Sequence, residues 1–275
     1  MSNHDVSLDC EMDEWTAMVI PPRLTPSPQP VEGYIEPDVP NPPLRMSIYP
    51  HPHGLTWHIN VVPYDLQWPA QFLDIQYHLR DLFARNCPPV EHLSIEHIGS
   101  TSVPGLAAKP NIDVLATFPS QQALESAVEA LNWEIPSSPP FAKYTQIPRG
   151  GGIPGRESYK IYLPLWSPYY TTTPERSLYL IADVPENVAG LTQIRCYRTV
   201  RDVLRQAANQ DLLDEYALVK MALSKEVFED PLSYSARKDP IVRRILLRGG
   251  WTEEEVEVKE KLCRRELLWD GEEAY

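Results

Sequence analysis

One stretch of the sequence brings together residue types that commonly do chemistry. Residues 96–115, EHIGSTSVPGLAAKPNIDVL, contain the pair Gly99 and Ser100, then Lys109 and Asp113. Backbone N–H groups and a hydroxyl at such a turn suit phosphate or carboxylate oxygens, and Lys109 would add a positive charge. Asp113 could hold a metal ion or accept a proton. A tight structural turn with a solvent-facing Asp113 explains the same residues.

The surrounding pattern predicts the elements that would position these residues. Apolar residues at spacings of three and four from Trp68 to Phe83 predict an amphipathic helix. Ser120 is expected to cap a second helix. Strands are predicted at 59–62, 93–98, 112–118, 159–163 and 178–184. Helices follow from residue 194, so we predict an α/β (α+β) fold with a mixed sheet flanked by helices and a C-terminal helical part.

Composition predicts three parts of the chain. Residues 21–52 hold 11 of the 29 prolines, which predicts a Pro-rich, largely disordered N-terminal arm over 1–57. We expect a catalytic domain at 58–250 and an acidic C-terminal helix or tail at 251–275. Of the net charge of −13, residues 1–60 carry −6 and residues 251–275 carry −5. The acidity lies in the ends, so the central part is not excluded from contact with a polyanion.

The sequence also excludes several classes of protein. It begins with an acidic segment and has no run of about 18 apolar residues, so we predict a cytoplasmic protein without membrane contact. The four cysteines form no CxxC pair, which argues against a zinc site or a disulfide framework. We predict no cofactor, no metal ion and no stable protein partner.

The segment IRCYRTVRDVLRQ predicts a helix with a basic face. Its arginines recur at spacings of three, three and four, within about a third of the helix circumference. They are Arg195, Arg198, Arg201 and Arg205. Arginine geometry suits phosphate oxygens, so the face could bind RNA. The alternative is a solvated face whose arginines pair with Asp202 and its neighbours.

The next predicted helix opens with three acids, Asp211, Asp214 and Glu215, and continues with Tyr216 and Lys220. Acids in a first turn are favoured by the helix dipole, and that alone could explain them. If they face the pocket, they could bind a cationic amine or guanidinium group.

Two segments resemble a known family. VPYDLQWPAQF, followed by IEHIGSTSVPGLAAKPNIDVL, looks very like the GrpB family, and the likeness continues through YRTVRDVLR, DEYALVKMALS and YSARKDPIV to about residue 248. That family is similar in fold to nucleotidyltransferases, in which Gly-Ser opens the nucleotide pocket and a D-x-D pair binds magnesium. The resemblance makes Gly99 and Ser100 the pocket turn and Asp113 the first carboxylate.

This sequence departs from the pattern at the metal-binding positions. The second carboxylate of the D-x-D pair falls at Leu115, and a later His-x-His of many relatives is matched by Ser177-Leu178-Tyr179. Asp183 is the one other acid on that predicted strand. Because two-metal phosphoryl transfer needs several carboxylates, this departure argues against nucleotidyl transfer.

The extra length, the Pro-rich arm and the altered acids resemble the fungal arginine-containing cyclodipeptide synthases of secondary metabolism. The resemblance implies an enzyme that joins arginine and a second amino acid into a diketopiperazine, with arginyl-tRNA and a second aminoacyl-tRNA as partners. Implied catalytic residues are Ser100, Lys109 and Asp113. Implied substrate-binding residues are His97, Gly99, Asp211, Asp214, Glu215, Tyr216 and Lys220, and the implied tRNA-binding residues are the four arginines. The alternatives are a metal-dependent nucleotidyltransferase-like enzyme and a non-catalytic nucleotide-binding GrpB protein.

Overall fold

A computed structural model describes residues 57–88, 93–133, 143–147, 155–162, 175–228 and 231–262. The predicted Pro-rich arm, apart from Trp57, and the last 13 residues lie outside the described residues. Within the described ranges, none of the helices combines the length and the apolar character that crossing a bilayer requires.

The centre of the fold is a five-stranded sheet with the strand order β2-β3-β6-β5-β4. β3 and β6 are parallel and the other neighbours are antiparallel, so the predicted mixed sheet is confirmed. The strands are β1 Trp57–His58, β2 Ser94–Ile98, β3 Asn111–Phe118, β4 Lys143–Ile147, β5 Glu157–Tyr162, β6 Glu175–Ala182 and β7 Val227–Phe228. β4 was not predicted, because five residues with one β-branched pair at a sheet edge give little periodicity.

Seven helices are present in the described part of the chain. They are α1 Trp68–Asn86, α2 Gln121–Trp133, α3 Val188–Arg205, α4 Gln210–Leu223, α5 Pro231–Ala236, α6 Asp239–Arg248 and α7 Glu253–Leu262. Short 3-10 turns at Ser100–Ser102 and Ala207–Asn209 lie between elements. The predicted α/β fold with a C-terminal helical part is therefore confirmed.

Helices α1 and α2 cover one face of the sheet. The predicted apolar stripe of α1 is buried, with Leu79 and Leu82 at 0% exposure, and it packs on the alternate β3 side chains Val114 and Ala116. Ser120 caps α2 as predicted, since its Oγ accepts a hydrogen bond from the Ala123 N–H (3.1 Å). Burial of this stripe is the main driving force for docking the two helices.

Helix α3 covers the opposite face. Ile98, Leu115 and Ile181 pack there against Ile194 of α3. Helices α4, α6 and α7 then pack on the outer side of α3. Side chains alternate across a strand, so Ile98 and Asp113, which are register partners, point to this face.

Two local predictions about element ends were wrong. The strand predicted at 59–62 lies at Trp57–His58, and Val62 instead makes an isolated bridge to Ala108. Helix α3 begins at Val188, earlier than predicted. Lys238 is the N-cap of α6, and Asp239 is the first residue of that helix. A capping box begins α7, in which Thr252 N donates to Glu255 (2.8 Å) and Glu255 N donates to Thr252 (3.2 Å).

Candidate functional site

A row of polar side chains crosses the sheet on the face that α3 covers. Ser177 of β6 is the register partner of Asp113 on one side and of Lys160 on the other. Lys160 Nζ donates to Ser177 Oγ (2.9 Å), and Ser177 Oγ donates to Asn111 Oδ1 (3.2 Å). A carboxylate, a hydroxyl and an ammonium group therefore lie side by side on three adjacent strands.

The glycine turn approaches this row from the end of β2. Gly99 has a φ of 71°, a conformation that favours glycine. A Cβ at Gly99 would also overlap the Asp113 carboxylate, so only glycine lets the turn lie against that acid. The structure thus brings Gly99, Ser100 and Asp113 together. We call the region formed by this turn and the polar row the Asp113 pocket.

Lysines surround the single acid of this pocket. Burial raises the pKa of Asp113, although Lys160, the Tyr179 hydroxyl, Lys109 and Lys238 all act to lower it. The raised pKa makes the carboxylate a better proton acceptor than an exposed aspartate. Lys109, which the sequence assigned to the site, is half-buried beside β3 and contributes positive charge there.

Lys238 is a site residue that the sequence reasoning missed. It is half-buried, and its Nζ lies 4.4 Å from the centre of the Tyr234 ring. Burial lowers its pKa to about 8, although Asp113 and Asp239 favour the charged form. The motif YSARKDPIV contains both Tyr234 and Lys238, so the resemblance carried a signal for them.

Lys220 is the most deeply buried of these lysines. Its side chain is 2% exposed, and its Nζ has no hydrogen-bond partner among the described residues. The Nζ lies 4.5 Å from the centre of the Tyr216 ring, and burial together with Lys238 lowers its pKa well below the usual value. Burial raises the pKa of Tyr216, and a side-chain hydrogen bond with Ser100 opposes that shift. Tyr216 therefore joins the Ser100 turn to Lys220.

The magnesium ion that the sequence resemblance implies does not fit these residues. Leu115 is fully buried among Ile98, Ile181 and Ile194. Its register partner Tyr179 donates a hydrogen bond to Asp113 Oδ1 (3.2 Å), where a second carboxylate would share an ion. Within the described ranges, no group of three or more His, Cys, Asp or Glu side chains could hold a metal ion.

Asp183 does not supply the missing carboxylate. Ser177 is beside Asp113, whereas Asp183 follows the other end of β6, where its N–H donates to Phe118 O. Six residues of extended strand separate Ser177 from Asp183, a distance of about 20 Å. Asp113 therefore has no carboxylate partner from this strand.

His97 lies on the other face of the sheet. Its ring stacks on Phe72, with the ring centres 4.8 Å apart, and its Nε2 is 3.0 Å from Thr101 Oγ1. Burial lowers its pKa to about 3, with Arg205 and Arg201 acting in the same direction. The imidazole is therefore neutral and supports the turn from within the core. The resemblance implied that His97 binds substrate, but the structure places its side chain on the opposite face of the sheet from the Asp113 pocket.

The four arginines of α3 all have partners in the fold. Arg195 pairs with Glu255, Arg198 and Arg201 both pair with Glu96, and Arg205 donates to Ser102 O. Burial raises the pKa of Glu96, but hydrogen bonds from Arg198 and Arg201 outweigh it, and the pKa is lowered. Contacts within the fold therefore occupy much of the predicted basic face. The side chains of Arg195 and Arg198 remain 47% and 35% exposed.

The acids at the start of α4 face away from the pocket. Glu215 pairs with Arg244, Asp211 lies 3.5 Å from Arg248, and Asp214 accepts a hydrogen bond from Gln210 (2.8 Å). Tyr216 and Lys220 are buried on the other side of the same helix. The structure brings the tyrosine and the lysine to the Asp113 pocket and leaves the three acids on the surface.

An open cleft of about 750 Å³ follows the outer side of α3, separate from the Asp113 pocket. Arg195, Arg198 and Arg248 line it together with Asp183 and Asp202. Both signs of charge are present in the cleft, so its field is weaker than the arginine count suggests.

Comparison with known families places the chain among described proteins. The profile of the family described as GrpB protein matches residues 58–248. A UPF0157 protein of Pseudomonas aeruginosa is 30% identical over 198 residues, covering 70% of this chain and 67% of the relative. A UPF0157 protein of Streptomyces coelicolor is 27% identical over 195 residues, covering 70% of this chain and 84% of the relative.

Among solved structures, the conserved protein GrpB from Enterococcus faecalis is similar. It is 26% identical, the match covers 74% of this chain and 100% of that one, and the TM-score is 0.48. The Cid1 poly(U) polymerase matches with 13% identity over 59% of this chain and 46% of its own, at a TM-score of 0.32. At these TM-scores the likeness says nothing about the reaction.

Proposed function

The chain belongs to the GrpB family, and we propose that its Asp113 pocket catalyses aminoacyl transfer from aminoacyl-tRNA without a metal ion. The reaction would join arginine and a second amino acid into a diketopiperazine, as in the arginine-containing cyclodipeptide synthases that the sequence resembles. One observation carries the proposal. Asp113 lies among lysines and accepts a hydrogen bond from Tyr179 where metal-dependent transfer needs further carboxylates.

Aminoacyl transfer needs only what this pocket offers. The ester between an amino acid and tRNA is already activated, so an amine can attack its carbonyl carbon once it is oriented and deprotonated. The C–N bond forms, the C–O bond breaks, and the tRNA hydroxyl leaves with a proton. The free amine of the dipeptidyl ester then attacks the ester carbonyl of the same molecule. A second C–N bond closes the ring, the second ester C–O bond breaks, and the second tRNA leaves with a proton on its hydroxyl.

Each step has a candidate group in the pocket. Asp113, whose pKa burial raises, would accept a proton from the ammonium group of the substrate and so free the amine that attacks. The Gly99-Ser100 turn lies against that carboxylate and would receive the developing oxyanion. Lys109 would add positive charge beside it.

The lysines favour a substrate that carries phosphate. Lys220 has no hydrogen-bond partner among the described residues, and Lys238 lies close enough to lower its pKa. A phosphate diester near the 3′ end of a tRNA would balance their charge. The tRNA backbone would continue past the exposed ends of Arg195 and Arg198, which line the cleft beside α3.

The same lysines also favour a second candidate function. Several ammonium groups around one pocket suit a nucleoside triphosphate, so nucleotide binding, with or without transfer, is the alternative. Leu115 stands where catalytic transfer would need a second carboxylate, so nucleotide binding without transfer is the simpler version of this alternative.

The deciding experiment supplies total tRNA already charged with all amino acids, with the arginine labelled by ¹³C. Purified protein is added in EDTA, and products are separated and identified by mass spectrometry. We expect a labelled cyclic dipeptide whose formation ribonuclease abolishes. Asp113→Asn should lower the rate by about 100-fold or more, because the proton acceptor is lost.

The matched control is Asp81→Asn, which removes an exposed acid of α1 that pairs with Arg85 on the same helix. Its product yield should equal that of the natural protein. Magnesium-dependent turnover of a nucleoside triphosphate, with no cyclic dipeptide, would establish the alternative and overturn the proposal.

A further inference from the structure

We propose that Arg205 is a positioning residue that holds the Ser100 turn in its reactive geometry, with the Glu96–Arg201 pair as its support. The role of the turn in the reaction rests on the function proposed above. Under this assignment Arg201 and Arg205 support the turn, whereas the sequence pattern suggested that they contact RNA.

The turn itself is short and has little to fix it. Its internal bonds run from Ser102 N to Gly99 O and from Val103 N to Ser100 O, both at 3.2 Å. The Ser102 hydroxyl adds a bond to Gly99 O (2.6 Å). A single 3-10 turn after a glycine at positive φ depends on contacts from outside the turn, because its two backbone hydrogen bonds are long.

Arg205 provides that support on the α3 side. Its Nε and Nη2 both donate to Ser102 O, at 3.0 and 2.8 Å. Two donors of one planar group on one carbonyl fix both the distance and the direction of that peptide. Burial lowers the pKa of Arg205, and the nearby Arg201 acts in the same direction, so the turn accepts this charge at some electrostatic cost.

A second contact anchors the strand that leads into the turn. Arg201 Nη1 donates to Glu96 Oε2 (2.8 Å) and lies 3.4 Å from His97 O. Arg198 donates to the other oxygen of Glu96. The Arg201 side chain is only 13% exposed, which leaves little of it for a nucleic acid. Helix α3 is therefore tied to the last residues of β2 and to the turn that follows.

The other face of the sheet completes the support. Thr101 Oγ1 donates to Asn111 O (2.9 Å), and it lies 3.0 Å from His97 Nε2. Since the single hydroxyl hydrogen goes to Asn111, His97 Nε2 must be the donor to Thr101. The turn is held from inside by Thr101 and from outside by Arg205, and Ser100 between them reaches Tyr216.

Three variants test the assignment: Arg205→Met, Arg205→Lys, and Arg85→Met as a control at an exposed arginine of α1. We expect Arg205→Met to lower kcat for cyclic dipeptide formation by at least tenfold, with KM for aminoacyl-tRNA within twofold. Arg205→Lys should restore part of kcat, because an ammonium group can still donate one bond to Ser102 O. Arg85→Met should change neither constant.

Two further measurements do not depend on the reaction. Hydrogen exchange of residues 99–103 should accelerate at least tenfold in Arg205→Met, while α2 exchanges as before. The salt dependence of tRNA binding should keep its slope. A slope that falls by about one unit together with weaker tRNA binding would assign Arg205 to a phosphate, and unchanged exchange of the turn would equally overturn the proposal. If the natural protein makes no cyclic dipeptide, the exchange result still decides the positioning role.

Discussion

The molecule has two cationic regions, the arginines of α3 and the lysines near Asp113, and they differ in how their charges are paired. The arginines of α3 each contact a carboxylate or a carbonyl of the fold, as Arg201 does with Glu96 and Arg205 does with Ser102. In the lysine region around Asp113, Lys220 has no hydrogen-bond partner among the described residues. Charges that are satisfied internally stabilise the fold, whereas a buried charge without a partner costs stability and points to a ligand.

The chemistry of the two side chains fits this division. Arginine stays protonated and offers several donors in a plane, which suits permanent contacts such as the bidentate bond to Ser102 O. Lysine loses its proton readily when it is buried, and Lys220 and Lys238 both have lowered pKa values. The arginine region is therefore suited to structure and the lysine region to binding.

The largest expected effect is on the arginine side. Arg201→Met should lower the free energy of unfolding by about 3 kcal/mol, because Glu96 would keep a half-buried charge with one partner fewer. Urea denaturation followed by circular dichroism measures this. Arg85→Met, at an exposed pair with Asp81, should cost at most about 0.5 kcal/mol. Equal stability of the two variants would show that the α3 arginines are as dispensable as surface charges.

The lysine side should respond with the opposite sign. Lys220→Met should raise the free energy of unfolding by about 2 kcal/mol, since an apolar chain of similar length replaces a buried amine without a hydrogen bond. The same variant should bind a short RNA ending in CCA at least tenfold more weakly. Lys225→Met, at an exposed lysine after α4, is the matched control and should change neither quantity. A destabilised Lys220→Met protein would show that the lysine has a structural partner. It would contradict the conclusion that the lysine region differs from the arginine region.

The proximity of Gly99, Ser100 and Asp113 could be predicted from the sequence, whereas contacts between distant elements could not. Local signals predicted this proximity, because a glycine before a serine and an acid on the next predicted strand lie close together in the sequence. The structure brings Gly99, Ser100 and Asp113 together as expected. Leu115 could also be interpreted in advance, since residues two apart on a strand share a face.

The partners of the arginines could not be predicted in the same way. Periodicity placed four arginines on one face of α3, but it does not say what covers that face. Glu96 is 105 residues from Arg201, and their contact exists only because α3 packs across β2. Lys160 and Ser177 likewise meet only through the pairing of β5 with β6, which no local pattern specifies.

The smallest expected effect is a pH dependence that belongs to the lysine region. The pKa of Lys238 is lowered to about 8, so its ammonium group is present below that pH and is lost as the pH rises through it. An anion bound beside it should therefore bind about tenfold more weakly at pH 9 than at pH 7, one proton being involved. The oligonucleotide ACCA is a suitable probe, because its own groups do not titrate in this range.

Stability should change in the other direction over the same range. Above pH 8 the folded chain has released the Lys238 proton while the unfolded chain still holds it, so the free energy of unfolding rises with pH. Lys238→Arg keeps the charge at every pH and should bind ACCA equally at pH 7 and pH 9 at constant ionic strength. If the natural protein and Lys238→Arg show the same pH profile, Lys238 is not the titrating group. Lys220 would then be the remaining evidence that the lysine region binds an anion and the arginine region does not.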